Sequence, residues 1–183
     1  MSKSQVPLPQ TGFALRAAPR EHAEVDIREI GVDGWQAMRD IRLASLQDAP
    51  QAFASTYERE VRFTEADWLR RVSRGDNFLA YAPELGAAPV GIAGGYEAEP
   101  GTTELISMWV SPVARGHGIG QALVEAVVGR ARAAGMSRVH LWVTEGNHSA
   151  RLLYERCGFQ QTGERQPLPS DVRVTEIAMA RSL

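Results

Sequence analysis

Only one cysteine, Cys157, stands among the 183 residues. No disulfide can form within the chain, and a reducing cytoplasm is the expected setting. Nowhere do 18 apolar residues run together, so no bilayer-spanning helix and no membrane partner are expected. The first 22 residues lack the apolar stretch of a secretory signal. Rich in Ser, Gln, Pro and Arg, they read as a flexible tail over 1–23, ahead of one folded domain over 24–183. An excess of positive charge is missing too. The formal net charge is −2, which argues against a nucleic-acid surface. The four histidines, at 22, 117, 140 and 148, keep no ligand spacing with cysteine or aspartate, so no metal is expected. Hydrophobic residues at 44% and charged residues at 23% suit an ordinary globular domain with a sizeable core.

What the chain does have is a glycine-rich junction between a strand and a helix. Residues 104–110, Glu-Leu-Ile-Ser-Met-Trp-Val, read as a strand closed by Ser111 and Pro112. Arg115-Gly116-His117-Gly118-Ile119-Gly120 follows. Residues 118–134 then place Ile119, Ala122, Leu123, Ala126, Val127, Arg130 and Ala131 at helical spacing, with Gly135 as the stop. Unpaired N–H groups at a helix start carry partial positive charge and attract anions. Glycines at 116, 118 and 120 remove the Cβ atoms that would hold a pyrophosphate away from those amides. The turn, with Arg115, His117, Ile119 and Gln121 around its glycines, is a candidate site for a phosphate-bearing cofactor. A plain glycine-rich connection is the alternative. The spacing is not G-x-G-x-x-G, and no acidic residue ends a second strand about 20 residues on, which excludes a dinucleotide fingerprint. A nucleotide P-loop would need Gly-Lys-Ser/Thr, and none is present.

The remaining pattern is α/β. Strands are predicted over 25–30, 78–81, 90–96, 139–143, 159–163 and 172–180, besides 104–110. A helix opening at Asp33 or Gly34 carries Trp35, Met38, Ile41, Arg42 and Leu46 and cannot pass Pro50. A second begins at Thr64, with Trp68, Leu69 and Val72 on one side. A third covers 147–157 and is stopped by Gly158. Residues 52–63 show no period and read as a long loop. Trp35, Trp68 and Trp142 read as core residues.

Two motifs in order decide the family. Arg115-x-x-Gly118-x-Gly120 precedes a helix and a strand, and Asn147-x-x-Ala150-x-x-Leu153-Tyr154 then leads to Gly158-Phe159. This succession strongly resembles the GCN5-related N-acetyltransferase (GNAT) superfamily over residues 25–180, most tightly over 104–159. The resemblance implies a single mixed, mostly antiparallel sheet of about six to seven strands, splayed in the middle and flanked by about four helices. It implies an acetyl-CoA-dependent N-acetyltransferase in which a primary amine attacks directly, with no acyl-enzyme and no metal. The acceptor, a small molecule or a peptide, stays open, and a homodimer is compatible with the family. A non-catalytic acyl-CoA-binding regulatory module is the alternative.

Residue roles follow from the same resemblance. The backbone of Met108, Trp109 and Val110 is expected to pair with the pantetheine arm, and the turn at Arg115–Gln121 to hold the pyrophosphate. Tyr154 matches the general acid that protonates the leaving thiolate; its alternative is a core tyrosine. Asn147, Arg151 and Tyr154 share one helical face, so Asn147 is expected to contact pantetheine, to cap its helix, or both. Glu104 matches the general base, taking a proton directly or through a water from an amine with pKa about 10.4; its alternative is a surface glutamate. Glu97, Glu99 and Asp171 are the other candidate bases. Phe53, Tyr57 and Glu58 in the loop, with Asp171 before the last strand, are candidates to bind the acceptor.

Overall fold

The computed structural model describes residues 25–183; the tail expected over 1–23 lies outside them. Seven strands form one sheet: β1 Asp26–Glu29, β2 Asp76–Tyr81, β3 Gly91–Glu99, β4 Thr102–Val110, β5 Arg138–Thr144, β6 Gln160–Leu168 and β7 Asp171–Ser182. Their order is β1-β2-β3-β4-β5-β7-β6. Only β4 and β5 run parallel; every other neighbouring pair is antiparallel. Five α-helices complete the described residues: α1 Trp35–Asp48, α2 Tyr57–Glu60, α3 Glu65–Ser73, α4 Ile119–Ala133 and α5 His148–Arg156.

The central strands are buried on both faces, and their alternation divides the core. Phe78, Ala80 and Ala93 join Leu123, Val124 and Val127 of α4 on one side. Leu79 and Ile92 join Met38 and Ile41 of α1 and Val72 of α3 on the other. Each large aliphatic side chain buried this way contributes about 1.5–3 kcal/mol. The start of α3 is fixed locally. Thr64 Oγ1 accepts from the Asp67 N–H at 3.3 Å, and Asp67 Oδ2 accepts from the Thr64 N–H at 2.8 Å, a closed capping box.

Two segments differ from the sequence pattern. Residues 52–63 are not a plain loop: α2 forms there, with Thr56 Oγ1 accepting from the Arg59 N–H at 3.4 Å. Four residues are too few for a periodicity to show. β6 runs on to Leu168, past the expected end at 163, with a register shift between Gln161 and Arg165. It is an edge strand, so Pro167 is tolerated within it.

The middle of the sheet opens. β4 and β5 pair only at Thr102↔Arg138, Thr103↔Val139 and Glu104↔His140. β5 stays paired with β7 as far as Thr144, whereas β4 turns away. Ser107 has a positive φ of 57°, uncommon for a residue with a side chain. The register of β4 on β3 shifts at the same place, from Gly94↔Ile106 to Ile92↔Trp109, the mark of a β-bulge. Beyond Glu104, then, no strand among the described residues lies beside β4 on the β5 side.

Candidate active site

The turn into α4 is built for backbone exposure. Gly116 and Gly118 have φ of 84° and 79°, a region that costs an L side chain about 1–2 kcal/mol. A Cβ on either would meet nothing within 4 Å, so both face open space. Gly118 caps α4 without any side-chain hydrogen bond, which leaves the first-turn amides uncovered by a capping group. Gly120 serves differently. A Cβ there would stand 3.0 Å from Leu153 Cδ2 and 3.4 Å from Met108 Cε, because α4, α5 and the end of β4 meet at this point.

Side chains around the turn hold it in place. Arg115 donates from Nη2 to Asp48 Oδ2 at 2.7 Å and from Nε to the Val110 carbonyl at 3.0 Å. Trp109 Nε1 donates to the same Asp48 oxygen at 2.9 Å. Arg115 therefore ties the turn to the end of α1. His117 and Gln121 are exposed, while Ile119 is buried.

A cavity of about 570 Å³ lies over the sheet on the side of α1 and α3, lined by Arg42, Phe53, Arg71, Glu104, Trp142 and Glu176 among others. Its acidic floor consists of cross-strand neighbours. Tyr96 stands opposite Glu104, and Gln166 opposite Glu176; all four line the cavity. Gln166 Nε2 donates to Glu176 Oε2 at 3.1 Å. Burial pushes the Glu104 carboxyl above the usual glutamate range; the Tyr96 hydroxyl opposes the shift and the charge of Glu176 reinforces it. Burial likewise raises Glu176, against the hydrogen bond from Gln166. Carboxyls raised in this way hold and release a proton closer to neutrality than a free glutamate does.

The opposite wall is cationic. Arg42 donates from Nε to Glu60 Oε2 at 3.0 Å and from Nη2 to Glu60 Oε1 at 2.9 Å. Arg71 Nη1 stands 3.5 Å from the same Oε1. The Arg42 guanidinium carbon lies 4.6 Å from the centroid of the Phe53 ring. The Phe53 carbonyl accepts from Ser170 Oγ at 2.6 Å, which fastens the turn between β6 and β7 beside the cavity.

On α5, Asn147 Oδ1 accepts from the Ala150 N–H at 3.1 Å, so the asparagine caps its helix. Tyr154 is 5% exposed, and its ring lies 5.9 Å from that of Phe159 at an interplanar angle of 59°. Burial raises its phenol above the ordinary tyrosine value, and Cys157 adds to the shift. Cys157 is itself buried and its thiol raised, first by burial and then by Glu125.

Comparison with known proteins agrees with this fold. The model of the acetyltransferase (GNAT) family matches residues 35–159, more than half of the chain. The chain belongs to the GNAT acetyltransferase family. A GNAT acetyltransferase from Streptococcus pneumoniae superposes with a TM-score of 0.70 at 18% identity, covering 87% of this chain and 99% of that one. A putative acetyltransferase from Salmonella typhimurium, solved with its cofactor acetyl-CoA, gives 0.69 at 18% identity, covering 87% and 94%. Mycothiol acetyltransferase from Beutenbergia cavernae is 43% identical over 58 residues, 32% of this chain and 20% of that protein. The match thus spans about a fifth of that relative's length.

Within the GNAT frame the expected residues separate into three groups. Met108, Gly120 and the neighbour of Tyr154, Leu153, converge. Glu104 and Phe53 line the cavity, and Tyr154 lies in the core, outside its lining. Tyr57, Glu58 and Asp171 do not line it. Asp171 instead binds Arg173 at 2.7 and 2.8 Å, which holds its carboxyl down at about 2. Glu99 pairs with Arg138 at 2.5 Å, and Glu97 accepts from the Gly101 N–H at 3.3 Å. Trp68 is core at 1% exposure, as expected, whereas Trp142 lines the cavity and packs edge-on against His140. Sequence reasoning missed Glu176, Tyr96 and the Arg42–Glu60–Arg71 group. Glu176 left one signal, a charged residue at an inward position of an alternating strand. Among the described residues no cluster of His, Cys, Asp and Glu could hold a metal, and no helix is long and apolar enough to cross a membrane.

Proposed function

We propose that this GNAT enzyme moves an acetyl group from acetyl-CoA to a primary amine by direct attack, with both substrates bound at once. The observation that carries the reading is Glu104. It lies in a cavity wall, with a raised carboxyl, at the residue where β4 parts from β5. Acetyl-CoA supplies an activated acyl thioester when bound. The residues present fit it: glycines facing open space, an uncapped helix start and a strand edge without a partner.

Gly116, Gly118 and Gly120, with Ile119 and Gln121, offer backbone amides to the pyrophosphate. Those backbone N–H and C=O groups of the Met108–Val110 stretch that face the free edge of β4 pair with the pantetheine amides, and one N–H there polarises the thioester carbonyl. Asn147 adds its side-chain amide, whose oxygen already serves the helix cap. Glu104 removes the proton that keeps an amine of pKa about 10.4 unreactive at neutral pH. Tyr154, whose phenol is protonated at physiological pH and raised further by burial, gives its proton to the departing sulfur. Cys157, buried and with a raised thiol, takes no part.

Mass spectrometry of a stopped reaction tests the direct transfer. The acceptor should gain one acetyl group while the protein gains none. An acetylated protein that forms and decays with turnover would overturn direct attack.

A further inference from the structure

The cavity is dipolar, and its cationic wall is not neutralised from within. On that wall three guanidiniums, Arg42, Arg59 and Arg71, stand with one carboxylate, Glu60. Glu60 is already occupied. Arg42 takes both of its oxygens, and Arg71 reaches only the longer contact of 3.5 Å. Arg42 Nη1 is buried with no hydrogen-bond partner among the described residues, on a side chain only 4% exposed. Leaving a charged donor buried and unpaired is costly, and burial together with the charge of Arg42 pulls the Arg71 guanidinium below its usual value. The wall is short of an anion.

The far floor has the complementary shortage. Glu104 and Glu176 line it, and among the described residues no cationic side chain bonds to either. A small molecule with an ammonium at one end and an anion at the other would satisfy both walls at once. Its amine would lie beside the proposed base.

Resting on the acetyltransferase reading above, we propose that the acceptor is an amine that also carries a carboxylate, an amino acid or a close analogue, with the carboxylate anchored by Arg71 and Arg59 in front of the buried Arg42. A flat guanidinium edge matches a carboxylate in two parallel hydrogen bonds. Polyamines, cationic at both ends, would meet repulsion at the arginine wall instead.

The test offers α- and β-amino acids beside their amides, phosphoethanolamine beside ethanolamine, and spermidine, all with acetyl-CoA. Expected is a kcat/KM at least tenfold higher for a carboxylate-bearing amine than for its amide, with Arg71→Gln raising KM far more than it lowers kcat. Arg59→Gln, on an exposed residue, should raise KM in the same direction. Equal use of acid and amide, or preference for spermidine or phosphoethanolamine, overturns the carboxylate assignment while leaving the acetyltransferase standing. If no amine is turned over, calorimetric binding of the amino acids decides separately. Binding that is weakened tenfold by Arg71→Gln upholds the anchor although the enzyme reading falls; no binding overturns it.

Discussion

Arg42 and Glu60, 18 residues apart, meet through two parallel hydrogen bonds of 3.0 and 2.9 Å. Their side chains are 4% and 0% exposed. The pair fixes α2 against α1 and forms the back of the cavity. Burial alone would raise the Glu60 carboxyl, but the hydrogen bond and charge of Arg42, with the charge of Arg71, outweigh it and hold Glu60 below its usual range. Its stabilising contribution is therefore present above the ordinary glutamate pKa and is lost as pH falls through the lower folded value. Glu60→Gln should destabilise the protein by about 3–5 kcal/mol at neutral pH, because a buried guanidinium is left unpaired. Urea unfolding of both proteins across pH checks this: the gap should narrow in acid. A gap that persists unchanged below the usual glutamate range would mean that charge is not its source.

Glu104 should govern the acidic limb of the rate. Its carboxyl is raised, so the base is lost as pH falls through a value above the ordinary 4.5. Glu104→Gln should lower kcat/KM by about 10²–10⁴ and remove that limb. Steady-state rates against pH test both points, and an unchanged limb in the variant would assign the base elsewhere.

The charge of Glu176 helps hold Glu104 up. Glu176→Gln should then move the acidic limb of the wild-type profile to lower pH while catalysis persists. A limb that stays in place would show that the two carboxyls do not interact across the cavity floor.

Tyr154→Phe keeps the ring that packs on Phe159 and removes only the hydroxyl. The variant should keep its thermal midpoint and its affinity for acetyl-CoA, yet lose about 10²-fold in kcat. Retention of full turnover would leave Tyr154 a core residue.

Gly118 and Gly120 should fail in different ways. Gly118→Val strains a φ of 79° and fills open space, costing about 1–2 kcal/mol in the left-handed region and weakening acetyl-CoA binding tenfold or more. Gly120→Val drives a side chain into Leu153 and should act mainly on stability, by about 1–3 kcal/mol. Calorimetry and thermal unfolding of each separate the two effects.

Local chemistry was legible in the sequence. The Thr64 cap of α3, the side-chain-free turn at Gly116 and Gly118, and the capping role of Asn147 each depend on residues within a few positions. The placement of Glu104 was also readable, because it follows from one strand leading into one turn. The cavity as a whole was not. Tyr96 meets Glu104 across a sheet register, Gln166 meets Glu176 across a hairpin, and Arg42 reaches Glu60 from another helix. A bulge at Ser107 sets the parting of the strands, and no periodicity announces it. Asp171 was a candidate base and acceptor contact by its place before the last strand, but Arg173 two residues away binds its carboxylate.

The most direct measurement is thiol release from acetyl-CoA across a panel of amines, wild type beside Glu104→Gln. Release that depends on an acceptor, and falls about 10²-fold or more in the variant while acetyl-CoA still binds, is the expected result. Failure of the wild type to bind acetyl-CoA, or equal release by both proteins, would contradict it.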